Sequence, residues 1–269
     1  MTVTLSPRVV HVAILECFTM PHQIAATRGQ FGDVFRSWLC TSAKALNAGR
    51  SLGDQVEIQT SVFDVQHGQY PQSLDNVDAI IVTGSTSSAY DNDPWIITLE
   101  RFLQDAYAQK PHIKLFGGCF GHQLLSQALL GSYGTFVKKN PNGWEIGVHE
   151  INLNPDFRAD FARLLREENL SCQFLHADHV VIDNGRLPPS WMNIGSSKLC
   201  QVQGIYSPGR VLTYQGHPEF DTFINEHGTT HLGESGILSG SQVEGAMLLI
   251  HQKDTATLCG QILLEFITM

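Results

Sequence analysis

The chain has 269 residues, of which 42% are hydrophobic and 16% charged, with 17 Lys and Arg against 26 Asp and Glu for a formal net charge of −9. Enough apolar material for a sizeable core, with charge below the roughly one quarter usual in soluble domains, excludes a disordered chain. The acidic balance excludes nucleic acid as main partner, because phosphate binding is driven by Lys and Arg.

In chain order, residues 9–15 (Val-Val-His-Val-Ala-Ile-Leu) form a short β-branched run that predicts a buried strand. A helix is expected over 31–48, where Phe31, Val34, Phe35, Trp38 and Leu39 recur at helical spacing and Gly49 supplies a stop. Strands follow at 56–62 and 79–82, the second running into Gly84-Ser85-Thr86-Ser87-Ser88. Strand, helix, strand is the opening of a parallel sheet. Next come a helix at 94–110, a strand at 113–116 and a helix at 121–130 closed by Gly131. The second half reads as richer in strand, at 145–153, 180–182, 192–196, 199–206 and 211–214. Residues 225–240, rich in Gly, Thr, His and Ser, read as a loop that either caps a site, contacts a partner or is a solvated connection; a last helix is expected over 244–268.

With no long linker or repeat, a single α/β domain is expected. The first residues do not read as a signal peptide, no apolar run approaches the ~18 residues of a membrane span, and six scattered cysteines without a C-x-x-C pair fit reduced thiols. A cytoplasmic protein without membrane attachment is the expectation.

The densest chemistry lies in Ile113-Lys114-Leu115-Phe116-Gly117-Gly118-Cys119-Phe120-Gly121-His122-Gln123. An apolar strand enters a glycine-flanked cysteine and a helix leaves at once, the layout of a nucleophile elbow with sulfur in place of oxygen. A thiol there faces the positive end of the helix dipole, and the Phe120 N–H is one donor to a developing oxyanion. The alternative for any single cysteine is a small buried hydrophobe; its Gly-x-Cys-x-Gly setting favours the nucleophile. A nucleophilic cysteine needs a base and the base an orienting group. Gln215-Gly216-His217-Pro218-Glu219-Phe220 after strand 211–214 offers both: His217 to move the proton, Glu219 to fix the imidazole tautomer. Taken alone, His-Pro-Glu is equally a surface turn.

Together these segments resemble the triad-type class I glutamine amidotransferase family, over about residues 9–220. The resemblance implies a flavodoxin-like, mostly parallel sheet and hydrolysis of a γ-glutamyl amide through a glutamyl-thioester on Cys119, without cofactor or metal. It further implies Gly84, in the loop after the third strand, as second oxyanion donor, and Gln123 as a holder of the glutamyl group. In Leu175-His176-Ala177-Asp178-His179-Val180, Asp178 is the candidate partner of the substrate α-amino group, with His176 and His179 shaping the pocket. A metal reading of His176-x-x-His179 has no third ligand in view. Two departures stand out. Gly118 replaces the branched apolar residue usual before the cysteine, predicting a looser strand end or a larger pocket. The stretch from Glu219 to Met269 is too short for a synthetase domain, which favours a standalone hydrolase or transferase similar to the γ-glutamyl peptidase branch. The alternatives are a glutaminase subunit serving a separate synthetase, an enzyme redirected to another carbonyl substrate, and a non-catalytic binding protein.

Overall fold

The structure is a computed structural model that describes residues 6–166 and 168–269. Its centre is a sheet built from β1 (Arg8–Glu16), β2 (Val56–Asp64), β3 (Ala79–Val82), β4 (Lys114–Gly118) and, from the second half, β9 (Met192–Asn193), β11 (Ile205–Ser207) and β12 (Val211–Tyr214). The strand order is β2-β1-β3-β4-β12-β11-β9. The first five are parallel, and β11 and β9 close one edge antiparallel. This is the flavodoxin-like α/β sheet, whose ligands sit beyond the carboxyl ends of the parallel strands.

Helices cover both faces. Along β1, Val10, Val12 and Ile14 face α2 (Phe31–Asn47) and α9 (Ala256–Thr268), through Phe35, Trp38, Ile262 and Leu263; Ala13 and Leu15 face α3 (Pro94–Gln109) and α4 (Phe120–Leu130), through Leu99, Leu103 and Leu124. Burial on both faces is why these strands read as unbroken apolar runs instead of alternating ones.

The remaining elements are α1 (His22–Arg28), β5 (Thr135–Lys139), β6 (Glu145–Leu153), α5 (Pro155–Asp160), α6 (Ala162–Leu165), β7 (Leu170–His176), β8 (Asp178–Ile182), β10 (Gly195–Ser196), α7 (Thr222–Glu234) and α8 (Gly240–Ile250). A small sheet β10-β6-β7 and a β5-β8 ribbon lie beside the main one.

Three expectations are corrected. Residues 225–240 are not a loop: α7 occupies most of them, started by the Asp221 carboxylate accepting the Ile224 N–H at 2.9 Å, with Ile224, Asn225 and Thr229 buried. Its Gly and Thr content is poor for a helix, and packing of one face supplies what propensity does not. The helix expected over 244–268 is two, broken where Thr255 leaves the helical path to bond Ser171 of β7, N–H to carbonyl at 2.9 Å. The strand expected over 199–206 is confined to β11: the chain turns at 197–200, where the Ser197 N–H donates to the Cys200 carbonyl at 2.8 Å, and Gln203 points inward onto Glu145.

Candidate active site

Pairing sets the site. Val82 lies beside Gly117 and Gly118 beside Tyr214, so β3, β4 and β12 end at one level and deliver Gly84, Cys119 and His217 to the same edge. Cys119 stands between β4 and α4 with φ 48° and ψ −105°, a conformation held by its N–H on the Tyr214 carbonyl (2.9 Å) and by the Gln123 N–H on its own carbonyl (3.0 Å). Positive φ on a non-glycine residue is strained backbone that persists only where surroundings impose it. The glycines two residues away on either side cannot carry side chains: a Cβ on Gly121 would overlap the Val82 carbonyl and one on Gly117 would overlap the Gly121 backbone.

Gly118 differs, since a Cβ there would meet only the Phe35 ring at 3.6 Å and Glu219 Oε1 at 4.0 Å. It remains the paired last residue of β4. Gly121→Ala is therefore expected to destabilise by about 1–3 kcal/mol, while Gly118→Ala stays within about 1 kcal/mol. Urea denaturation of both variants checks this; equal losses would contradict the packing argument.

His217 is buried, with its ring stacked on Phe220 at 4.0 Å between centroids. Its Nδ1 donates to Glu219 Oε1 at 2.7 Å, which leaves Nε2 for the thiol. Burial pulls the imidazole pKa down, but negative charge on Cys119 and Glu219, with hydrogen bonding to both, outweighs it and lifts the value from 6.5 to about 10. A raised folded-state pKa means that this stabilisation is complete below about pH 6.5 and lost as pH rises through about 10. Gly84 approaches the ring so closely that a Cβ would lie 2.8 Å from His217 Cε1. Phe120 opens α4, where first-turn N–H groups have no acceptor within the helix.

The other expected residues lie beneath and beside this group. Gln123 is buried, its Nε2 donating to the Asp178 carbonyl and Gln215 Oε1, both at 3.1 Å. The same Asp178 carbonyl accepts His176 Nδ1 at 2.8 Å, and His176 Nε2 lies 2.9 Å from Glu145 Oε2. Both ring nitrogens of His176 are thus engaged inside the protein. The Asp178 carboxylate accepts Ser88 Oγ at 2.5 Å and Tyr90 OH at 3.2 Å, which ties it to the loop that begins at Gly84. His179 is half-buried; burial and then the Lys138 charge pull its pKa below the usual histidine value.

Nothing local in the sequence marks Ser88 and Tyr90 as holders of Asp178 or Glu145 as the anchor of His176. Burial raises the Glu145 pKa, but His176, Ser197 and Gln203 together hold the carboxyl below its ordinary value. Glu145, His176 and Cys200 bring a carboxylate, an imidazole and a sulfur within 4.8 Å. Cys200 donates to the Val202 carbonyl at 3.4 Å, and burial pushes its thiol up to about 12.

A strained cysteine between a parallel strand and a helix, beside an imidazole backed by a carboxylate, is an arrangement suited to cysteine-nucleophile chemistry on an α/β sheet. The family model for class-I glutamine amidotransferases matches residues 41–235, and the chain belongs to that family. It is 33% identical over 218 residues to a glutamine amidotransferase-like protein of Schizosaccharomyces pombe, covering 80% of this chain and 81% of that one. It is 29% identical over 179 residues to gamma-glutamyl peptidase 3 of Arabidopsis thaliana, covering 65% and 68%. A glutamine amidotransferase from Thermotoga maritima shares the fold with a TM-score of 0.64 at 18% identity, over 97% of this chain and 99% of that one. Among the described residues no helix is long and apolar enough to cross a membrane.

Proposed function

We propose that the protein cleaves a γ-glutamyl amide or γ-glutamyl peptide, glutamine or a glutathione-type conjugate, through a glutamyl-thioester on Cys119. The observation that carries this reading is the line from Glu219 through His217 to Cys119, reached by a strained elbow; likeness to a gamma-glutamyl peptidase supports the substrate class.

The thiolate, paired with the His217 imidazolium, attacks the γ-carbonyl. Negative charge gathers on the carbonyl oxygen, where the Gly84 and Phe120 N–H groups would receive it. Collapse breaks the C–N bond as His217 Nε2 gives its proton to the leaving amine. Water then attacks the thioester, loses a proton to His217, and the thiolate departs with glutamate released. Glu219 keeps Nδ1 protonated throughout. Gln123 and Asp178 hold the glutamyl end, Asp178 through its carboxylate and His176 through the wall behind it. The chain works as one catalytic unit, α7 to α9 included.

Incubation with glutamine, glutathione and a glutathione S-conjugate in turn, followed by intact-protein and peptide mass spectrometry, is expected to trap a glutamyl adduct on Cys119 from at least one. Adduct formation with glutamine alone, with turnover stimulated by a separate synthetase, would point to the ammonia-donor reading. Absence of any adduct together with absence of glutamate release overturns the proposal.

A further inference from the structure

His217 is placed by its backbone as well as by Glu219. It follows the end of β12 after only Gln215 and Gly216, and its N–H donates to the Gln173 carbonyl at 2.7 Å, an isolated antiparallel bridge to β7. Gly216 presses on the same strand: a Cβ there would overlap Cys172 Sγ and stand 3.0 Å from the Phe174 ring. Residues 172–174 are therefore the surface on which the His217 segment is seated.

Gln173 is itself clamped from two helices. Its Nε2 donates to the Ile250 carbonyl at the end of α8 (2.9 Å), and its Oε1 accepts from Asn225 Nδ2 of α7 (2.7 Å). The same Asn225 nitrogen donates to the Phe174 carbonyl at 3.1 Å, and Thr229 Oγ1 donates to Asn225 Oδ1 at 3.4 Å. Asn225 and Thr229 are fully buried. A buried carboxamide is costly unless its hydrogen bonds are made, and this one directs its amide group onto two consecutive residues of β7. An apolar residue would pack there without any such preference for direction.

We propose that Asn225 is a positioning residue for the His217 imidazole, acting through Gln173; this rests on the reading of His217 as the base that serves Cys119. The pathway is short: Asn225 fixes the Gln173 side chain, Gln173 fixes its own stretch of β7, and the Gln173 carbonyl fixes the His217 N–H. A small displacement of a reacting group by a distant substitution costs up to about 100-fold in rate, so the effect falls on kcat and on thiol reactivity before it falls on binding.

The test compares the parent with Asn225→Leu, Gln173→Leu and the double variant in the full chain. Readouts are the rate of Cys119 carboxymethylation by iodoacetate from pH 5 to 10, localised by peptide mass spectrometry, and kcat and KM for whichever γ-glutamyl compound forms the adduct. Asn225→Leu is expected to lower kcat about tenfold with KM within about twofold and to alter the pH profile of carboxymethylation. Gln173→Leu is expected to match it, and the double variant to add little, because residues acting in one chain are not additive. Parental kcat and an unchanged profile in folded Asn225→Leu, or fully additive losses, overturn the proposal. If the leucine variant does not fold, Asn225→Ser, which keeps one donor, is expected to fall between parent and Gln173→Leu, and parental kcat and profile in that variant overturn it equally. In the parent, Cys119 no more reactive than the other thiols would instead remove the underlying reading.

Discussion

Alanine in place of Cys119 is expected to lower turnover of a γ-glutamyl substrate by at least about 10⁴-fold, with little change in thermal stability. The atom removed is the one that forms the thioester, and a residual rate would come only from binding and the oxyanion donors. The fold should tolerate the change, because the two bonds that hold the elbow, to the Tyr214 carbonyl and from the Gln123 N–H, use backbone atoms that alanine keeps. Alanine also carries the same Cβ into the same positive φ, so strain is unchanged. The variant reports on His217 as well: with the thiolate charge gone, the imidazole keeps only Glu219 and its pKa must fall from about 10. Side-chain NMR of the histidines across pH 5–11 measures this beside steady-state glutamate release. Parental turnover in folded Cys119→Ala would assign the nucleophile elsewhere.

The site's central line was legible because each part leaves a local mark. A parallel strand buried on both faces is a short apolar run, as in Ala79-Ile80-Ile81-Val82 and Leu115-Phe116. The elbow demands glycine where a Cβ would meet backbone, so Gly117 and Gly121 bracket Cys119 in plain view. His217 and Glu219 are two residues apart. What stayed hidden depends on partners far along the chain. β7 mixes Cys, Gln and His among its apolar residues and is buried through contacts with β6, α7 and α9 that no local pattern announces. Glu145, His176, Ser197 and Gln203 meet only once β6, β7 and the segment before β11 are packed. The composition of α7 is that of a loop, one that an isolated helix would not tolerate, yet its buried Asn225 holds the strand that seats the histidine.

Glu219→Gln is the second large effect, expected to lower kcat by about 10²–10⁴-fold while leaving KM within a few-fold. Glu219 Oε1 lies 2.7 Å from His217 Nδ1 and can only accept, which places the proton on Nδ1 and aims Nε2 at the thiol. A glutamine can turn its NH₂ toward Nδ1, which favours the tautomer with the proton on Nε2, unable to take one from sulfur. It also removes one of the two charges that lift the His217 pKa, so the thiolate–imidazolium pair weakens. Some stability should go with it in either orientation: with the NH₂ on Nδ1 the buried His217 loses its charged partner, and with the NH₂ in the place of Oε2, which has no hydrogen-bond partner among the described residues, a buried donor is left unpaired at a cost of about 1–3 kcal/mol. Thermal unfolding separates that loss from the kinetic one. Because the sulfur remains, carboxymethylation of Cys119 should still proceed in Glu219→Gln, more slowly than in the parent, whereas position 119 takes no label in Cys119→Ala. Parental carboxymethylation and parental kcat in Glu219→Gln would reduce the carboxylate to a packing role.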